Sequence, residues 1–126
     1  MNHKGIDFII FIISVLLVSI ITVTGIIFPN PVNGILKFIL DTNGNIGGAI
    51  VASFFFNCFY SNNPLQKRIK IALSSCCGLI VYEFLQLFMK WQTFDQNDIY
   101  GTIIGFIISI SINIIIVKSQ KIIPEH

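Results

Sequence analysis

Charge is scarce in this chain. Only 14 of its 126 residues are charged, 8 Lys+Arg and 6 Asp+Glu, or 11% of the whole, where a soluble globular domain carries roughly 25%. The scarcity is patterned. No charged residue falls between Asp7 and Lys37, between Asp41 and Lys67, or between Asp98 and Lys118. The small net charge of +2, with the basic residues scattered, excludes a nucleic-acid surface. Histidine is limited to His3 and His126 at the termini, so no Ser-His or Cys-His arrangement near the remaining polar residues is expected. The three cysteines, Cys58, Cys76 and Cys77, lie in apolar stretches and read as small buried hydrophobes rather than disulfide or metal partners.

What is abundant is apolar: 54% of residues are hydrophobic and mean hydropathy is +0.82. The isoleucine-rich, alanine-poor composition also hints at a low-GC bacterial source. The uncharged gaps have the length of membrane spans, which need about 20 apolar residues for a hydrocarbon core about 30 Å thick. Four helices are predicted, at about 6–28, 44–60, 69–89 and 99–117, forming a single all-α domain over residues 1–126. The first run spans about 34 Å as a helix, too long for the apolar core of a cleaved signal, and Pro29 and Pro31 stop it. The second run is the weakest, with Gly44, Gly47 and Gly48 at its start. Outer loops are expected at about 29–43 and 90–98.

The distribution of basic residues argues that the second run crosses. Four crossings gather Lys4, Lys67, Arg68, Lys70, Lys118 and Lys121 on one side, leaving Lys37 and Lys90 opposite; three crossings would divide them more evenly. The expectation is a multi-pass protein of the cell membrane with both termini cytoplasmic. The polar residues Asp41, Asn45, Lys90, Gln92, Asp95 and Asp98 then lie at or near the outer face, with Glu83 and Gln86 a little deeper.

Glu83, Gln86 and Lys90 recur at spacings of three and four, along one face of the third helix. A carboxylate at depth costs up to about 2.5–3.5 kcal/mol on insertion scales and faces the bundle interior. It serves either as a helix fastener or as a proton-binding or substrate-polarising group. Asp95 is placed to cap the fourth helix by accepting from the Asp98 amide, and Asp98 meets the positive helix end. Glu83, Asp95 and Asp98 offer oxygen ligands, but their spacing matches no defined cation loop, so no metal or other cofactor is expected. Gly101, Gly105, Ser109 and Asn113 repeat every four residues, a small-residue stripe suited to close helix packing. Gly44, Gly47, Gly48, Ala52 and Ser53 give the second helix a comparable surface.

The stretch from Tyr82 to Gly105, YEFLQLFMKWQTFDQNDIYGTIIG, resembles the VanZ-like membrane proteins, whose motif runs Glu-x-x-Gln, a short turn with an Arg, then an Asp pair leading into a helix with an Asn and a Gly. Glu83, Gln86, Asp95, Asp98 and Gly105 match; Gln92 stands in place of the Arg and Thr102 in place of the Asn. A fainter element, Asp-Lys-His at the start of an earlier helix, is met by Asp41, with Thr42 and Asn45 replacing the other two. The resemblance implies a small polytopic bacterial membrane protein, related to one associated with teicoplanin resistance. It would act at the outer leaflet on a lipid-linked or cell-envelope precursor, with Glu83, Gln86, Asp95 and Asp98 at the site and Asp41, Asn45, Lys90 and Gln92 as substrate-binding candidates. Whether such a site is catalytic stays open. Two alternatives stand beside this reading: a small homo-oligomeric, proton-coupled transporter using Glu83, and a non-catalytic membrane partner subunit.

Overall fold

The computed structural model describes residues 3–29, 34–60, 64–89 and 93–122. The described chain is all-helical, with α1 His3–Ile27, α2 Gly34–Cys58, α3 Leu65–Gln86 and α4 Gln96–Ile122. Three of these helices, α1, α3 and α4, are long and apolar enough to cross a membrane.

Contacts between named residues fix the helix directions. Gly25 faces Leu40, and the Asn43 side-chain amide donates to the Val18 carbonyl and the Thr22 hydroxyl, each at 3.0 Å, so α1 and α2 run antiparallel. Gly48 faces Leu79, while Lys67 sits over the Tyr60 ring, making α3 antiparallel to α2. Gly101 meets Thr42 and Asn45, and Gly105 meets Ile46 and Ala49; α4 therefore lies parallel to α2. Helix α2 is the hub and packs on all three others. The helices alternate in direction, so one end of the bundle collects Lys4, Lys67, Lys70 and Lys118, and the other Asp41, Glu83, Asp95 and Asp98.

The interior is polar and the exterior apolar. Buried hydrophobic residues are few, Ala49, Phe54, Ala72, Cys76 and Ile116, whereas Asp7, Thr42, Asn43, Ser53, Asn57, Arg68, Glu83, Gln86, Thr102, Ser109 and Asn113 are among the buried polar ones. Large aliphatic and aromatic side chains of every helix face outward, from Leu16 and Ile20 on α1 to Ile107 and Ile115 on α4. In water this arrangement would expose the apolar surface that drives folding; in lipid it places each residue where its solvent suits it. Exposed hydroxyls fit the same environment. Ser19, Thr22 and Thr24 donate to the carbonyls four residues back at 2.8–2.9 Å, satisfying themselves within the helix.

Helix α2 begins ten residues before the expected 44, so the segment 34–43, expected as loop, is helical. The Ile35 to Leu40 stretch favours helix. Gly47 is an interior packing residue rather than helix-start punctuation, since a Cβ there would overlap Val18, as one on Gly105 of α4 would overlap the Ile46 carbonyl; Gly44 is exposed within the helix. Helix α3 ends at Gln86 rather than 89, and α4 begins at Gln96 rather than 99. Of the cysteines, Cys76 is buried and Cys58 half-buried, but Cys77 is exposed. The 100° step between neighbouring helical residues turns Cys77 away from the inward face that Ala72 and Cys76 share.

Candidate functional site

At the acidic end, three helices bring polar side chains together. The close approach of α2 and α4 is set by Gly101, where an added Cβ would lie 2.9 Å from the Thr42 Cβ and 3.4 Å from the Asn45 Cβ. One turn before Gly101, Asp98 thereby comes beside Asn45, and the Asn45 amide donates a hydrogen bond to its carboxylate. Thr42 and Thr102, both fully buried, turn their hydroxyls to the Phe38 and Asp98 carbonyls at 2.7 and 3.0 Å.

Helix α3 supplies Glu83 and Gln86, three residues apart and both buried on the inward face. Glu83 is only 1% exposed, and its Oε2 has no hydrogen-bond partner among the described residues. It lies within electrostatic reach of Asp98 and Asp95, and Asp98 in turn of Asp95 and Asp41. Glu83 is three residues from the end of α3, about 4.5 Å along the axis, shallower than the roughly 9 Å that a helix ending at Met89 would give. The connection into α4 folds back on α3, with the Phe84 and Phe94 rings stacked at 5.8 Å and 26°.

Asp95 caps α4, though through a different amide from the expected one. Its Oδ1 accepts from the Asn97 N–H at 2.9 Å, while the Asp98 N–H is taken by the Asp95 backbone carbonyl at 3.1 Å. With α4 starting at Gln96, Asn97 lies in its first turn, where backbone amides lack an intrahelical partner. Asp41 is exposed on α2. Lys90 and Gln92 lie outside the described residues.

Chemically, this end is rich in acceptors. No basic side chain pairs with Asp41, Glu83, Asp95 or Asp98 among the described residues. Such a site suits a hydrogen-bond donor, an ammonium or hydroxyl group, or a bound proton on Glu83. No group of three or more His, Cys, Asp or Glu is placed to hold a metal ion among the described residues.

A second polar cluster, at the basic end, was not anticipated. Arg68 and Asp7 are both fully buried and form a two-pronged ion pair: Arg68 Nη1 donates to Asp7 Oδ2 at 3.0 Å and Nη2 to Asp7 Oδ1. Arg68 Nε donates to Asn113 Oδ1 at 2.7 Å, and Asn57 reaches the same oxygen at 3.4 Å. All four helices meet in this network. On α4, the small-residue stripe has two uses: Gly101 and Gly105 admit α2, and Asn113 joins the network, with Ser109 buried between. The available signal was helical phase, since Arg68, Ala72, Ser75, Glu83 and Gln86 share the inward face of α3.

Comparison with protein-family models, curated proteins and solved structures yields no match.

Proposed function

We propose that the chain is a VanZ-like, four-span protein of the cell membrane, with both termini cytoplasmic, whose acidic end engages a lipid-linked or other cell-envelope component at the outer leaflet. The observation that carries the site is Glu83: a buried carboxylate with an unpartnered oxygen beside Asp98 of the neighbouring helix. A bundle fastener would have its oxygens satisfied by its own helices. A ligand hydroxyl or ammonium group would satisfy this one, with Gln86 and Asp98 offering further contacts and Asp95 holding the start of α4 in place.

Crossing by α2 is supported by its length, 25 residues or about 37 Å, and by the direction of its polar side chains. Thr42, Asn43, Ser53 and Asn57 are buried against the other helices, so its modest hydropathy understates how apolar a surface it offers to lipid. Orientation follows from the lysines of the basic end, Lys4, Lys67, Lys70, Lys118 and Lys121; Arg68 is neutralised by Asp7.

The test compares deletion, wild-type, Glu83→Gln and Glu83→Ala strains for susceptibility to cell-envelope antibiotics, teicoplanin included, with analysis of lipid-linked envelope species. The expected result is one species changed by deletion, restored by wild type and not restored by Glu83→Gln despite normal protein levels. Full complementation by both variants, or unaltered envelope lipids on deletion, overturns the reading. The same unpartnered oxygen favours a second reading, a proton-coupled transporter, which Glu83-dependent proton flux in proteoliposomes would select.

A further inference from the structure

A second feature of the bundle lies on the opposite side of Leu79 from Glu83, toward the basic end. It is a groove of about 530 Å³ between α2 and α3, running from Leu79 to Lys67. Twelve residues of helix separate those two, about 18 Å, close to one leaflet of a hydrocarbon core about 30 Å thick. Its walls are mainly apolar, with Phe56 from α2 and Ile71 from α3. Gly78 keeps its deeper part open, since a Cβ there would meet nothing within 4 Å.

The end of the groove is different in character. Lys67 and Lys70 both line it and both are exposed. Lys67 is held with its ammonium 4.1 Å from the centroid of the Tyr60 ring, an arrangement that positions the cation without neutralising it. Neither lysine forms an ion pair among the described residues. Two uncompensated cations at the membrane-surface end of an apolar, leaflet-deep groove are complementary to a molecule with an anionic head and a long apolar tail.

We infer that the α2–α3 groove is a binding site for an anionic phospholipid, one acyl chain lying along Phe56, Ile71 and Leu79 and the phosphate held by Lys67 and Lys70. In the proposed orientation this lipid belongs to the cytoplasmic leaflet. The inference rests on the membrane-spanning reading but on neither the VanZ resemblance nor the role of Glu83. The Phe56 and Ile71 walls select for a chain, and the lysines select for charge. A zwitterionic lipid satisfies the first condition only, and inorganic phosphate only the second.

The test is native mass spectrometry of the full-length protein in detergent, titrated with dioleoylphosphatidylglycerol or dioleoylphosphatidylcholine, with inorganic phosphate as competitor. Carbonate extraction of the same variants from membranes checks integration separately. The expected result is preferential retention of phosphatidylglycerol. Affinity should fall about fivefold for Lys67→Gln or Lys70→Gln and about 25-fold for both. Gly78→Trp, which fills the groove and leaves both lysines in place, should abolish retention while the thermal unfolding midpoint is kept. Equal retention of the two lipids overturns the site, as does displacement by inorganic phosphate. Indifference to Gly78→Trp reduces the effect to surface charge and overturns the groove. A dimer free of lipid, with the groove covered by a second copy, overturns it too.

Discussion

Arg68 on α3 and Asp7 on α1 form a fully buried ion pair between two helices whose other packing is elsewhere, α1 on α2 and α3 on both α2 and α4. Removing one partner leaves an uncompensated buried charge, which typically costs about 3–5 kcal/mol, whereas replacing both with apolar residues of similar volume is often close to neutral. Arg68→Met and Asp7→Leu are each expected to lower stability by amounts in that range, and the double variant by clearly less than their sum. Unfolding of all four proteins in one detergent, analysed as a double-mutant cycle, checks this; additive losses would mean the pair acts as two separate supports.

The α2–α4 contact depends on missing side chains. Gly105→Ala places a Cβ against the Ile46 carbonyl and 2.9 Å from the Ala49 Cβ, where the obstacle is backbone and cannot swing aside. A loss of about 1–3 kcal/mol is expected, and more for Gly105→Leu. Ile104→Leu, at a site 38% exposed, should change stability by less than about 0.5 kcal/mol. Matched thermal unfolding would reveal equal stability if the helices were free to separate.

Asp95 and Asp98 are separable by substitution. Asp95→Ala removes the acceptor for the Asn97 amide and should cost about 1 kcal/mol, while Asp95→Asn, an equally good cap, should cost little. Asp98→Asn keeps a side chain that can pair with Asn45 but removes its charge. It should retain stability and lose whatever activity Glu83→Gln loses, with the double variant no worse than either single. Loss of folded protein in Asp98→Asn would assign Asp98 to packing.

Topology is checked by single cysteines in a background lacking Cys58, Cys76 and Cys77. A cysteine at Gln96, at the acidic end, is expected to react with an impermeant maleimide on intact cells, and one at Gln66, at the basic end, only after permeabilisation. The reverse pattern would invert the orientation.

Four helices and the clustering of Glu83 with Asp98 follow from features legible in the chain: uncharged runs, a short connection, and acids on either side of that connection. The start of α2 was not legible, because a glycine such as Gly47 carries the same signal whether it ends a loop or admits a neighbouring helix; only Val18 on another element decides between them. Arg68 was obscured by its neighbours. Between Lys67 and Lys70 it looks like one of three surface charges, and only its helical phase with Ser75 and Glu83 turns it inward. Its partner Asp7 lies 61 residues away, a separation that no local pattern encodes.

The Arg68–Asp7 pair also imposes an order on biogenesis. The ribosome completes α1 and α2 before Arg68 has been made, so the α1–α2 hairpin holds Asp7 without its counter-ion until the first turn of α3 arrives. Asn113, the last member of the network, is later still. The nascent protein therefore carries an unmatched acid while the 61 residues that separate Asp7 from Arg68 are added. A chain ending after α2 keeps that acid without its counter-ion.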